Sequence, residues 1–137
     1  MPQYQVAKQA HTYCMVCGEQ ASNPDSLQLS FELDGEKGVT AVFDVTPRHQ
    51  GYNGLLHGGM TSTLMDAAMT HCLFTQGIKA LTAELLVRFM KPIQIGDLIK
   101  VSASLSGKRH GIYQLEAQIS KGQRTLARAS GKFIDPK

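Results

Sequence analysis

Residues 57–77, HGGMTSTLMDAAMTHCLFTQG, decide how the rest of the chain is arranged. Met60, Leu64, Ala67, Ala68 and Cys72 share one face at helical spacing. Met65, Met69, Leu73 and Phe74 make the remainder apolar too. A helix that is apolar nearly all round is a buried one. The spacing predicts a helix from about Gly58 to Gln76, with Gly77 as its C-terminal stop.

Strand patterns lie on both sides of this segment. Upstream, Leu27, Leu29, Phe31 and Leu33 alternate with polar neighbours, Asp34 to Gly38 reads as a hairpin loop, and Val39, Ala41, Phe43 and Val45 alternate again before Pro47. Residues 48 to 57 are a glycine-bearing loop. Downstream, residues 80 to 135 read as four strands in a meander. In the first of them Leu81, Ala83, Leu85, Val87 and Phe89 alternate with Thr82, Glu84, Leu86 and Arg88. Gly107 to Gly111 is a loop between later strands, and Gly122-Gln123 is a turn. Residues 1–26 read as irregular. The expected fold is α+β: a curved antiparallel sheet of about six strands wrapped around one long central helix. No helices separate the later strands, which excludes a doubly wound parallel sheet.

The chain has 137 residues and 42% hydrophobic content, which fits a single domain spanning 1–137. Fourteen basic residues against 11 acidic ones give a net charge of +3, too mild to mark a nucleic-acid binder but compatible with an anionic small ligand. No segment has the character of a membrane span, and Met1 to Ala10 lacks the apolar core of a signal peptide, so the expected compartment is the cytoplasm. Three cysteines argue against a closed disulfide framework.

Between Arg48 and Lys79 the only formally charged residue is Asp66, in the middle of the predicted helix. A carboxylate among apolar neighbours is costly unless it is paired or wet. It suits a base working near neutral pH, and it suits equally a structural acid bonded to a neighbouring strand. Gly58 and Gly59 open the helix without side chains, so a ligand carbonyl could reach the N–H groups of its first turn, where the dipole is positive. Gly58 and Asp66 stand about 12 Å apart along one helix at roughly 1.5 Å per residue. One reacting carbonyl can hardly touch both. If the two act together, they come from different subunits of a homodimer or of a dimer of dimers, a homotetramer.

The run His57-Gly58-Gly59, six intervening residues and Asp66 resembles the central motif of the hotdog-fold thioesterase superfamily, in its phenylacetate-pathway-like, 4-hydroxybenzoyl-CoA thioesterase-related branch. His49-Gln50-Gly51-Tyr52 and Ala67-Ala68-Met69 resemble that branch too, and Cys14 to Gly18 with Asn23-Pro24 is similar to a subgroup of it. The resemblance implies a hotdog fold, dimers or tetramers, and hydrolysis of an acyl-CoA thioester without a cofactor. It implies Asp66 as nucleophile or general base and the Gly58 N–H as donor to the thioester carbonyl. Thr82 would help to hold the water, and His57 would organise the loop. Related enzymes often carry an Asn six residues before the motif histidine, where this chain has Gly51; Gln50 and Asn53 are the candidates for its polar contact. This departure keeps a non-catalytic acyl-CoA-binding protein as the alternative. A hotdog dehydratase usually pairs a catalytic His with an acid, a pattern the helix does not offer.

Arg88, Lys91, Lys108, Arg109 and His110 are candidate contacts for CoA phosphates, each weighed against an ordinary solvated surface charge. His71 and the methionines at 60, 65 and 69 read as core. Cys14 and Cys17, with His11 three residues upstream, have the spacing of half a zinc site. A complete site needs a further ligand, so the expectation is a tight structural turn and no metal.

Overall fold

The computed structural model describes residues 2–136. Helix α1 spans Pro2–Lys8 and runs into a 3-10 turn at Gln9–His11. Strands β1 (Glu32–Leu33) and β2 (Gly38–Asp44) precede helix α2 (Gly58–Phe74). Strands β3 (Leu81–Phe89), β4 (Leu98–Arg109), β5 (Ile112–Lys121) and β6 (Arg124–Ile134) follow. All six strands form one antiparallel sheet in the order β1-β2-β4-β5-β6-β3. The sheet packed against one long helix is the hotdog arrangement that the resemblance implied.

α2 is buried except at Gly58, Gly59 and Met60 of its first turn and at Ser62, Thr63 and Asp66, because most of its remaining residues are apolar. Leu64, Met65, Met69 and Leu73 are at most 1% exposed, and they meet Val101, Leu115, Ile119 and Phe133 from the inner face of the sheet. Each such side chain contributes roughly 1.5–3 kcal/mol through burial. Gly131 in β6 allows the close approach: a Cβ there would lie 2.6 Å from the Met69 sulfur. Gly77 ends the segment with φ +74, as the sequence predicted.

Four expectations are corrected. Residues 1–26 are not irregular throughout, because α1 is helical. Its seven residues are too few to stand alone. Tyr4 and Ala7 are buried with Phe74, the Gln3 amide donates to the Thr75 carbonyl at 2.6 Å, and the Tyr4 hydroxyl meets His71 Nδ1 at 2.9 Å. The strand expected over Leu27–Leu33 keeps only Glu32–Leu33. Gln28 takes φ +54, and the Leu27 and Leu29 N–H groups bond instead to the Met15 and Val16 carbonyls. The last four strands are not one meander, since β3 crosses to the far edge beside β6 and only β4-β5-β6 run consecutively. The loop expected over Gly107–Gly111 tightens to His110-Gly111. Both residues have positive φ, as a two-residue type I′ hairpin requires, and β4 continues through Arg109.

A bulge in β3 positions the site. Thr82 pairs with Phe133 and Glu84 with Lys132, leaving Ala83 as the extra residue. Phe133 is fully buried on the inner face, so its partner Thr82 faces α2, while Glu84 and Lys132 face outward and lie 3.8 Å apart. Strict alternation would have put Thr82 and Glu84 on the same face. No described helix is long and apolar enough to cross a membrane.

Candidate functional site

Asp66 sits half-buried between the buried Met65 and Ala67. The Thr82 hydroxyl donates a hydrogen bond to its Oδ1 at 2.6 Å. The bond comes from the neighbouring strand, as the structural alternative required. It also leaves one carboxylate oxygen, and the lone pairs of the Thr82 hydroxyl, free for water.

At the other end, His57 is the N-cap of α2, with extended backbone at φ −61 and ψ 135. The Gly59 N–H donates to His57 Nδ1 at 2.8 Å, and the Met60 and Thr61 N–H groups bond to the His57 carbonyl. Gly59 is therefore not an open donor, which corrects its assignment to substrate. Among the described residues the Gly58 N–H alone in this first turn has no hydrogen-bond partner. His57 organises the loop in a second way, because its own N–H donates to the His49 carbonyl at 2.9 Å. Gly51 packs beneath it; a Cβ there would meet His57 Cα and Cδ2 at 3.2 Å. The Asn common at this position in related enzymes would need His57 to shift.

Gly58 borders a cavity of about 420 Å³ shared with Tyr52, Leu55, Phe89 and Lys91, mostly apolar with one cation. The sequence did not single out Tyr52 or Phe89. Their signal was only an aromatic residue in each of the two segments flanking the motif. Lys91 reaches this cavity, whereas Arg88, Lys108, Arg109 and His110 do not line it. Arg88 lies opposite Arg128 on the outer face of β3 and β6. Arg109 ends β4, in the row that runs through Ile112 and Ile134 to Leu81, with two strands between it and β3 and at the opposite end of β3 from Phe89 and Gly58. The Gln50 side chain accepts from the Gly54 N–H at 3.0 Å and so serves its own loop. Asn53 is exposed in that loop.

The remaining candidates divide between core and cluster. His71 is fully buried, stacked on Phe31 with ring centroids 4.6 Å apart. Burial, helped by the positive neighbours His11 and Lys8, pushes its pKa down to about 3, so it is a neutral core histidine. Cys72 donates to the Lys37 carbonyl at 2.9 Å, and burial pushes its thiol up to about 11. His11, Cys14 and Cys17 converge near the N-terminus, their ligating atoms within 4.8 Å of one another.

The family described as the thioesterase superfamily matches residues 53–128 of this chain. Acyl-coenzyme A thioesterase THEM4 of Bos taurus is 31% identical over 106 residues, which cover 76% of this chain and 44% of that protein. Acyl-coenzyme A thioesterase PaaI of Escherichia coli (strain K12) is 31% identical over 96 residues, 67% of this chain and 68% of that one. The chain thus spans less than half the length of the bovine relative and about two-thirds of the bacterial one. The solved structure of the E. coli PaaI protein superposes with a TM-score of 0.80 at 18% identity, over 99% of this chain and 95% of that one.

Proposed function

The chain belongs to the thioesterase superfamily, and on that footing we propose that it hydrolyses an acyl-CoA thioester to the free acid and CoA. The observation that carries the proposal is the bond from Thr82 to Asp66 at 2.6 Å. It fixes the only carboxylate of α2 in one orientation. Asp66 acts as general base. A water that donates to its free oxygen and to the Thr82 hydroxyl oxygen loses a proton to Asp66 as it attacks the thioester carbon. The carbonyl oxygen gains the negative charge, and the Gly58 N–H at the positive end of a helix stabilises it. Collapse expels the CoA thiolate, which takes up a proton.

Because Gly58 and Asp66 are about 12 Å apart along α2 at roughly 1.5 Å per residue, the carbonyl donor comes from a second copy of the chain. Strand β3 supports that pairing. It is an edge strand, and it exposes Leu81, Leu86 and Phe89 at 58%, 67% and 59%. A long apolar edge is a template for pairing with another chain. It also carries Thr82 at one end and Phe89, beside Gly58, at the other. The apolar cavity at Gly58 takes the part of the substrate next to the thioester, and Lys91 offers a cation to the CoA phosphates.

The test is thiol release across short, medium, long and aryl acyl-CoAs. Release that Asp66→Asn abolishes supports the reading. Acyl-CoA binding with no release from any substrate would favour the non-catalytic alternative. Loss of water from a 3-hydroxyacyl thioester would point to a dehydratase.

A further inference from the structure

We propose that His11, Cys14 and Cys17 bind one Zn²⁺ ion, at a site that the thioester chemistry does not use. The sequence suggested a plain structural turn here, and the turn is present. A turn, however, has no need of an imidazole. The donor atoms of all three side chains lie within 4.8 Å of one another, and Cys17 Sγ stands 3.4 Å from His11 Nδ1. Two ligands on a tetrahedral zinc, with Zn–S near ~2.3 Å and Zn–N near ~2.0 Å, sit roughly 3.5 Å apart. The pair is already at that spacing.

The loop is built to hold the sulfur atoms in place. The Cys14 N–H donates to the His11 carbonyl at 3.1 Å, the Gly18 N–H to the Cys14 carbonyl at 2.9 Å, and the Glu19 N–H to the Thr12 carbonyl at 3.0 Å. The Val16 N–H points at Cys14 Sγ from 3.4 Å and so holds that sulfur in one orientation. Only glycine closes this loop at position 18, where a Cβ would lie 2.5 Å from the Cys14 carbonyl oxygen and 2.6 Å from that of Thr12. Both sulfurs are free of disulfides.

The donor set chooses the metal. Two soft thiolates and one imidazole suit zinc, while carboxylate-seeking cations such as Mg²⁺ and Ca²⁺ have no oxygen ligand in the cluster. His11 and Cys17 border a cavity of about 380 Å³, from which water completes the tetrahedron. Binding would tie the 3-10 turn after α1 to the loop whose Met15 and Val16 carbonyls hold Leu27 and Leu29. The ion therefore clasps the N-terminal helix to the body of the domain.

The test uses the whole chain, purified under reducing conditions, loaded with zinc chloride and dialysed. Metal analysis should find about one zinc per chain. Cobalt titration of the metal-free protein should give thiolate-to-cobalt charge-transfer absorption that saturates at one equivalent. His11→Ala should weaken cobalt affinity at least ~10-fold, the loss that even an outer-shell partner of a ligand causes. Cys14→Ser with Cys17→Ser should abolish the absorption. Wild-type protein that retains no more zinc than the buffer and gives no charge-transfer band would overturn the site. So would equal zinc in wild type and the double variant, or a Cys14–Cys17 disulfide that forms equally fast with and without zinc.

Discussion

The hydroxyl of Thr82 and the carboxylate of Asp66, sixteen residues apart in the chain, meet at 2.6 Å. The middle of a buried helix and the first turnless residues of an edge strand are thereby joined at one polar point. Asp66→Asn keeps the shape and removes the charge. Its turnover in a thiol-release assay should fall at least ~10²-fold, the usual minimum for a positioned acid–base group, with acyl-CoA binding retained. Thr82→Val should cost roughly 10- to 100-fold, matching the ~1.5–3 kcal/mol of a hydrogen bond to a charged group. Thr82→Ser should keep most of the rate. Near-wild-type turnover in Asp66→Asn would remove Asp66 from the mechanism.

Gly58→Pro isolates the proposed carbonyl donor. Proline is favoured at the first helical position, and the extended backbone of His57 is what a residue before proline requires. The substitution deletes one N–H and little else; a Cβ at 58 meets Phe89 only at ordinary contact, 3.6 Å. We expect helical content and melting temperature to hold while turnover falls about 10²- to 10³-fold, the range seen when one oxyanion donor is lost. Unchanged turnover in a folded Gly58→Pro protein would place the oxyanion donor elsewhere.

Mixing the two inactive chains reads out the assembly. Refolding Gly58→Pro together with Asp66→Asn should recover part of the wild-type rate, because a mixed dimer contains one site with both groups intact. Either variant refolded alone should stay inactive. A fully active monomer in dilute sedimentation runs would rule out a shared site.

Asp97 sets an acid limit on stability. Its carboxylate accepts from Lys121 at 2.7 Å and from the Gln94 N–H at 2.9 Å. The Lys121 hydrogen bond, more than any other cause, holds its pKa below the ordinary carboxylate value. A carboxylate with a depressed folded pKa contributes stability above its unfolded pKa, about 3.9, and loses it as pH falls through the folded value. Denaturant unfolding should show Asp97→Asn about 1 kcal/mol less stable than wild type at pH 7. The gap should begin to narrow as pH falls to about 4 and close only below the folded pKa, where both states of the wild-type residue are protonated. A gap that stayed constant down to pH 3 would show that the charge is not its source.

Much of this was legible in the sequence, and the omissions have physical causes. α2 and its lone acid were readable because an all-round apolar segment interrupted by one charge has few other solutions. The strand periodicity of β2 and of β4 to β6 was equally direct. α1 was not readable, since its seven polar-rich residues are helical only through Tyr4 and Ala7 packing against Phe74. The placement of β3 at the sheet edge depends on non-local pairing with β6, which no window of sequence contains. The occupation of the Gly59 N–H by His57 was missed because histidine is not among the usual capping residues.

The extra residue in β3 has a consequence for how such sites tolerate a change of length. Deleting Ala83 would remove a methyl-bearing residue with no chemical role, and every group named in the mechanism would remain in the sequence. The ladder would become regular, with Thr82 still opposite Phe133 and Glu84 still opposite Lys132, so Thr82 would keep its inner face beside Asp66. The pairing of Thr82 with Asp66 depends on the cross-strand register with β6 and not on the count of residues along β3. A chain one residue shorter in β3 can therefore carry the same site.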